Sequence, residues 1–154
     1  MCEKTGEKLS LPEELLFRQI YPNWLVEDGL PSSQAFYPWR TVDDGCLSTD
    51  RSSLTSAENS YLLATSSPPS GFGLNSVSVW GLSVDDVTAN GLSAWSDPVA
   101  ETAEKPANPA HALIEFGDIP PNKWKHLARL LKARAIKRGC LHPVVVDRGP
   151  ETAT

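Results

Sequence analysis

The chain has 154 residues, 40% of them hydrophobic and 21% charged, with a formal net charge of −5. A chain of that length buries about two thirds of the surface its unfolded form exposes, so a hydrophobic core can hold it together without a disulfide framework. The acidic balance argues against generic nucleic-acid binding, which rests on a net positive footprint, and no run approaches the roughly 20 apolar residues of a membrane span, so a soluble protein is expected.

Residues 1–10 are polar, of mixed charge, and without the apolar stretch of a signal peptide. They read as a disordered tail before a single α+β domain over 11–146, with 147–154 as a second tail. Leu11 to Tyr21 suits a short helical turn leading into a strand that Pro22 ends. Val26-Glu27-Asp28-Gly29 supplies a turn, and Ser33 to Tyr37 suggests a short strand closed by Pro38. Asp43-Asp44-Gly45 is a second turn signal, leading into Cys46-Leu47-Ser48.

Thr55 followed by Glu58 has the spacing of a capping box, which predicts a helix from about Ser56 through Leu63 that Ser66 to Gly73 breaks. Ser76 to Val84 is the strongest strand, apolar enough on both faces to be central. Ser83 with Asp86 opens a short helix over Val84 to Asn90, which Gly91 stops in the left-handed region. Residues 98–110, rich in proline, read as a surface loop, and His111 to Phe116 as the next strand. Pro120-Pro121-Asn122 introduces a helix over Lys123 to Arg138, stopped by Gly139, and Val144 to Val146 adds an edge strand. The predicted architecture is a mixed β-sheet with this C-terminal amphipathic helix packed on one face.

That last helix carries the main functional signal. Lys123, Lys125, Arg129, Lys132, Arg134, Lys137 and Arg138 are half of the 14 basic residues, with no acid among them, so the remainder of the chain is strongly acidic. Trp124, Leu127, Ala128, Leu131 and Ala135 fall on one face at 100° per residue, the stripe of a helix lying on a core. The cations flank that stripe, and Leu130 and Ile136 join them on the outer surface.

Two readings follow. The cations face the acidic clusters Glu27-Asp28, Asp43-Asp44 and Asp85-Asp86 of their own domain, or they bind a negatively charged partner, with an acidic protein surface preferred over nucleic acid. Lys123 and Lys125 stand at the helix N-terminus, where the dipole disfavours them by a few tenths of a kcal/mol. Helix stability alone does not explain them. The partner-binding set is therefore Lys123, Lys125, Arg129, Leu130, Lys132 and Ile136, on a non-catalytic module that needs no cofactor.

Candidate chemistry is sparse. Cys140 and His142 are close in sequence but lack a second local ligand pair, so no metal site is expected. Cys2, Cys46 and Cys140 are odd in number and widely spaced, a pattern that suits a reducing compartment and the cytoplasm. The five tryptophans are read as core packing.

Arg18, the Ser32-Ser33 pair and Glu58 follow one another in an order that resembles the Arg, Ser, Glu order of some ADP-ribosyltransferase folds. That resemblance implies an alternative, an enzyme acting on a nucleotide cofactor through Arg18, Ser33 and Glu58. A broader likeness rests on Phe17 to Pro22, Asp28-Gly29 with Ser33 to Phe36, Ser76 to Gly81, and Pro109 to Ala112 with Ile114-Glu115-Phe116. These blocks resemble a family of small bacterial proteins without an assigned activity. The likeness implies a bacterial single-domain protein and nothing more about mechanism; from the basic helix, the expected role is an accessory or interaction module in a defence or toxin-linked system.

Overall fold

A computed structural model of the chain describes residues 6–38 and 45–143. Five strands, β1 (Leu15–Ile20), β2 (Cys46–Arg51), β3 (Ser78–Ser83), β4 (Ser93–Ser96) and β5 (His111–Glu115), form one sheet in the order β3-β1-β2-β5-β4. Helices α1 (Ala57–Thr65), α2 (Val84–Thr88) and α3 (Trp124–Arg138) complete an α+β fold with the C-terminal helix against the sheet.

The sheet is antiparallel in each of its pairings, not mixed. The reason lies in strand order. Helix α1 connects β2 to β3, which run in the same direction, but β1 lies between them. Helix α2 connects β3 to β4, again in the same direction, but these are the opposite edges. The crossovers that usually create parallel neighbours are present, and no parallel neighbours result.

One face of the sheet forms the main core. Leu16 and Ile20 of β1, Leu47 of β2, Trp80 and Leu82 of β3, and Ile114 of β5 meet Trp124, Leu127, Ala128, Leu131 and Ala135 of α3. The expected helical stripe is thus the buried one, and Gly139 ends α3 with φ 95°. A 3-10 turn, Pro121–Lys123, precedes the helix. The Ser83–Asp86 capping box is present at α2, and Gly91 takes its left-handed conformation with φ 79°.

Several expectations change. Ser33–Phe36 is a 3-10 turn and not a strand. A strand would send Ala35 and Phe36 to opposite faces, whereas the turn buries both. Strand β3 lies at the edge of the sheet, yet its residues are buried because residues 141–142 run along it, with Leu141 N–H donating to Val79 O (2.9 Å) and Val79 N–H to His142 O (2.8 Å). A Cβ at Gly81 would lie 2.6 Å from Leu141 Cδ1, so the Leu141 side chain would have to turn aside.

Residues 7–9, assigned to a disordered tail, instead run beside β4, where Leu9 N–H donates to Ala94 O (2.8 Å) and Leu9 is buried in the core. Strand β4 itself was not anticipated. The 98–110 loop is largely exposed, but Val99 and Asn108 form a bridge at its base and Asn108 is buried. The strand expected over 144–146 and the tail over 147–154 lie outside the described residues, as do residues 1–5 and the cluster Asp43-Asp44. Among the described residues, no helix is long and apolar enough to cross a membrane.

Candidate functional site

The cations of α3 divide into two groups. Toward its C-terminus, Arg138 Nη1 donates to Asp86 Oδ2 (2.8 Å) and to Gly81 O (2.9 Å), and Arg134 Nε approaches Asp86 Oδ1 at 4.0 Å. Asp86 is itself fixed by the α2 capping box, accepting from Ser83 N–H at 2.9 Å. Burial pushes its carboxyl up, but the Ser83 and Arg138 hydrogen bonds outweigh burial and hold it below its ordinary range. These two arginines are explained by the acidic body of their own domain.

The other group is not. Lys123, Lys125, Arg129 and Leu130 are exposed and Lys132 is half-buried. Among the described residues, none of these cations forms an ion pair, and neither does the exposed Lys137 near the C-terminal end. Lys125, Arg129 and Lys132 follow one another by four and three positions and so form one ridge along the helix. Ile136 departs from the expected set, because it packs against the core rather than standing on the outer surface. The ridge offers two lysine point charges and one guanidinium fork, a surface chemically suited to carboxylates, while the exposed Leu130 stands about 100° round the helix from Arg129, on the flank of Lys123.

The second predicted set is brought together only in part. Arg18 donates to Ala35 O (2.8 Å) and Ser48 O (2.9 Å) and lies over the Trp24 ring at 5.1 Å. The Ala35 contact places Arg18 against the turn that holds Ser33. Glu58 stands exposed in the first turn of α1. Helix α1 lies on the face to which Gln19 points, since Gln19 Nε2 donates to Ser60 Oγ at 2.9 Å. Arg18, one residue earlier, points to the other face. Glu58 also takes no part in a capping box, because the N-cap is Ser56, whose hydroxyl accepts from Asn59 N–H (3.0 Å).

Cys140 and His142 do not form a nucleophile and base pair. The His142 ring packs on Tyr61, with centroids 4.7 Å apart, and the Cys140 thiol is directed at the backbone carbonyl of His142 (3.4 Å). Burial raises the Cys140 thiol above its ordinary value. No group of three or more metal-binding side chains occurs among the described residues. Cys46 is disulfide-bonded, against the reducing compartment that the cysteine spacing suggests, whereas Cys140 is free. Distance along the chain says nothing about whether two Cβ atoms meet in space.

A polar network on the α1 face had no sequence signal. Ser60 Oγ donates to Asp50 (2.6 Å), Gln19 to Ser60, and Ser76 Oγ to Gln19 Oε1 (2.7 Å). These residues come from four distant segments, and only the fold collects them. No family model, curated protein or solved structure matches the chain.

Proposed function

We propose that this chain is a non-catalytic bacterial accessory module that holds an acidic protein surface against the outer ridge of α3, in a defence or toxin-linked system. The observation that carries the reading is the division of the cations. Arg134 and Arg138 are engaged by Asp86, while Lys123, Lys125, Arg129 and Lys132 have no ion pair among the described residues. Leu130, exposed on the outer half of the same helix, supplies the apolar contact that a charged rim alone lacks.

Fluorescence anisotropy with a labelled glutamate-rich peptide and a DNA duplex tests this reading. The wild-type chain should bind the peptide more tightly than the duplex, with affinity falling as salt rises. Changing Lys125, Arg129 and Lys132 together to Glu should abolish peptide binding while the urea midpoint stays near wild type. Tighter binding to the duplex, or peptide binding that survives the triple change, overturns it.

The cytoplasm is the compartment proposed with this function, and the Cys46 disulfide argues against it. Thiol alkylation in intact cells decides. Labelling of Cys46 without added reductant places the chain in a reducing compartment, and labelling only after reduction places it in an oxidising one.

A further inference from the structure

The sheet face opposite α3 carries a half-open cavity of about 210 Å³. Phe17 of β1, Leu63 and Ala64 of α1, and Phe72 and Leu74 of the following segment give it apolar walls. Polar groups on its sheet side include Gln19, Asp50 and His111. Phe17, Asp50 and His111 are direct cross-strand partners in β1, β2 and β5, so the three side chains stand in a row on this face.

Asp50 is only 8% exposed, and both of its oxygens are held by neutral donors. Ser60 Oγ donates to Oδ2 at 2.6 Å and Asn108 Nδ2 to Oδ1 at 2.9 Å. Among the described residues, no ion pair involves Asp50. Arg18 also borders the cavity, but its guanidinium donates to the carbonyls of Ala35 and Ser48 and covers Trp24. His111 has its Nδ1 beside Asp97 Oδ2 at 3.0 Å. A carboxylate taken out of water is expensive unless a positive charge accompanies it. Here the hydroxyl and amide fix its position without supplying that charge.

We propose that this cavity binds a small organic cation, an ammonium or amidinium group on an apolar or aromatic body. The cationic head meets Asp50, and the body lies between Phe17, Leu63 and Phe72, with the two phenylalanine rings also attracting positive charge through their faces. Size fits the class. An apolar cavity of about 150 Å³ accepts benzene, so this one has room for a single ring with a short chain.

Isothermal titration of the intact chain with 2-phenylethylammonium, 2-phenylethanol and 3-phenylpropionate tests the assignment. The cation should bind at least tenfold more tightly than the alcohol, and the anion more weakly than either. Asp50→Asn should remove the preference for the cation, and Ala64→Phe, which fills the cavity, should abolish binding. The comparison of ligands on the wild-type chain stands even if a variant fails to fold. Absence of cation binding up to ~10 mM, which is weak for a ligand of this size, overturns the proposal. So does equal affinity for cation and alcohol, tighter binding of the anion, or a cation preference that persists in Asp50→Asn.

Discussion

Asp86 ties three parts of the molecule together with one carboxylate. It closes the capping box at α2, receives Arg138 from α3, and through Arg138 reaches the Gly81 carbonyl of β3. Asp86→Asn keeps an acceptor for the cap but leaves the guanidinium without its counter-charge. It should lower stability in urea by about 2 kcal/mol, the range of a charge-assisted hydrogen bond that is partly shielded from water. Arg138→Met should cost a similar amount, and the double variant clearly less than the two added, because both remove one interaction. Additive losses would show that the pair is not coupled.

Glu14 plays a comparable part just before β1, where its carbonyl also accepts from Val84 N–H beside the end of β3 (2.9 Å). It is buried, accepts from Arg51 Nε (3.0 Å) and Nη2 (3.2 Å), and receives the Ser53 hydroxyl. Burial works against its ionisation, but the Arg51 and Ser53 hydrogen bonds prevail and hold the carboxyl below its ordinary value. Carboxyls lowered on folding contribute stability that is fully present above their unfolded values and is lost as pH falls through the folded ones. Glu14 and Asp86 both act in this direction. The melting temperature should therefore stay nearly level from pH 7 to about pH 5 and drop steeply below about pH 4. Glu14→Gln should make that acid limb shallower, and an unchanged limb would remove Glu14 from the account.

At the scale of elements, the segment 7–9 is the one whose role was least visible. Leu9 enters the core beside Ala94, so Leu9→Ala should cost about 2–4 kcal/mol. A truly frayed tail would show no change in a chemical melt. Elements marked by local chemistry were legible. The α3 stripe, the Ser83–Asp86 box and the glycine stops each depend on residues a few positions apart. What escaped depends on distant partners. Strand β4 has only Ser93-Ala94-Trp95-Ser96 to announce it and is defined by pairing with β5 on one side and residues 7–9 on the other. The edge position of β3 was hidden for the same reason, because the segment that covers it follows sixty residues later in sequence, as the Val79 to His142 bridge shows. The candidate ridge was legible as charge, but sequence could not separate the arginines taken up by Asp86 from the cations left outside.

Across the whole molecule, the sheet separates two kinds of chemistry. The α3 face is sealed by large apolar side chains and carries its charge on the outside. The α1 face is thinner, with a buried polar network and a cavity beneath it. One wall of that cavity is joined to its helix by the backbone. Phe72 N–H donates to Leu63 O (2.9 Å), Gly73 N–H to Ser66 O (2.9 Å) and Leu74 N–H to Ala64 O (2.8 Å), which satisfies carbonyls that the end of α1 would otherwise leave open. Gly71 makes the approach possible, since a Cβ there would lie 2.5 Å from the carbonyl oxygens of both Leu63 and Ser66. The last turn of α1 and the wall thus open together or not at all. In deuterium exchange, the amides of Phe72 and Leu74 should share one opening free energy with those of Leu63 and Ala64, and any compound filling the space below should slow all four by the same factor.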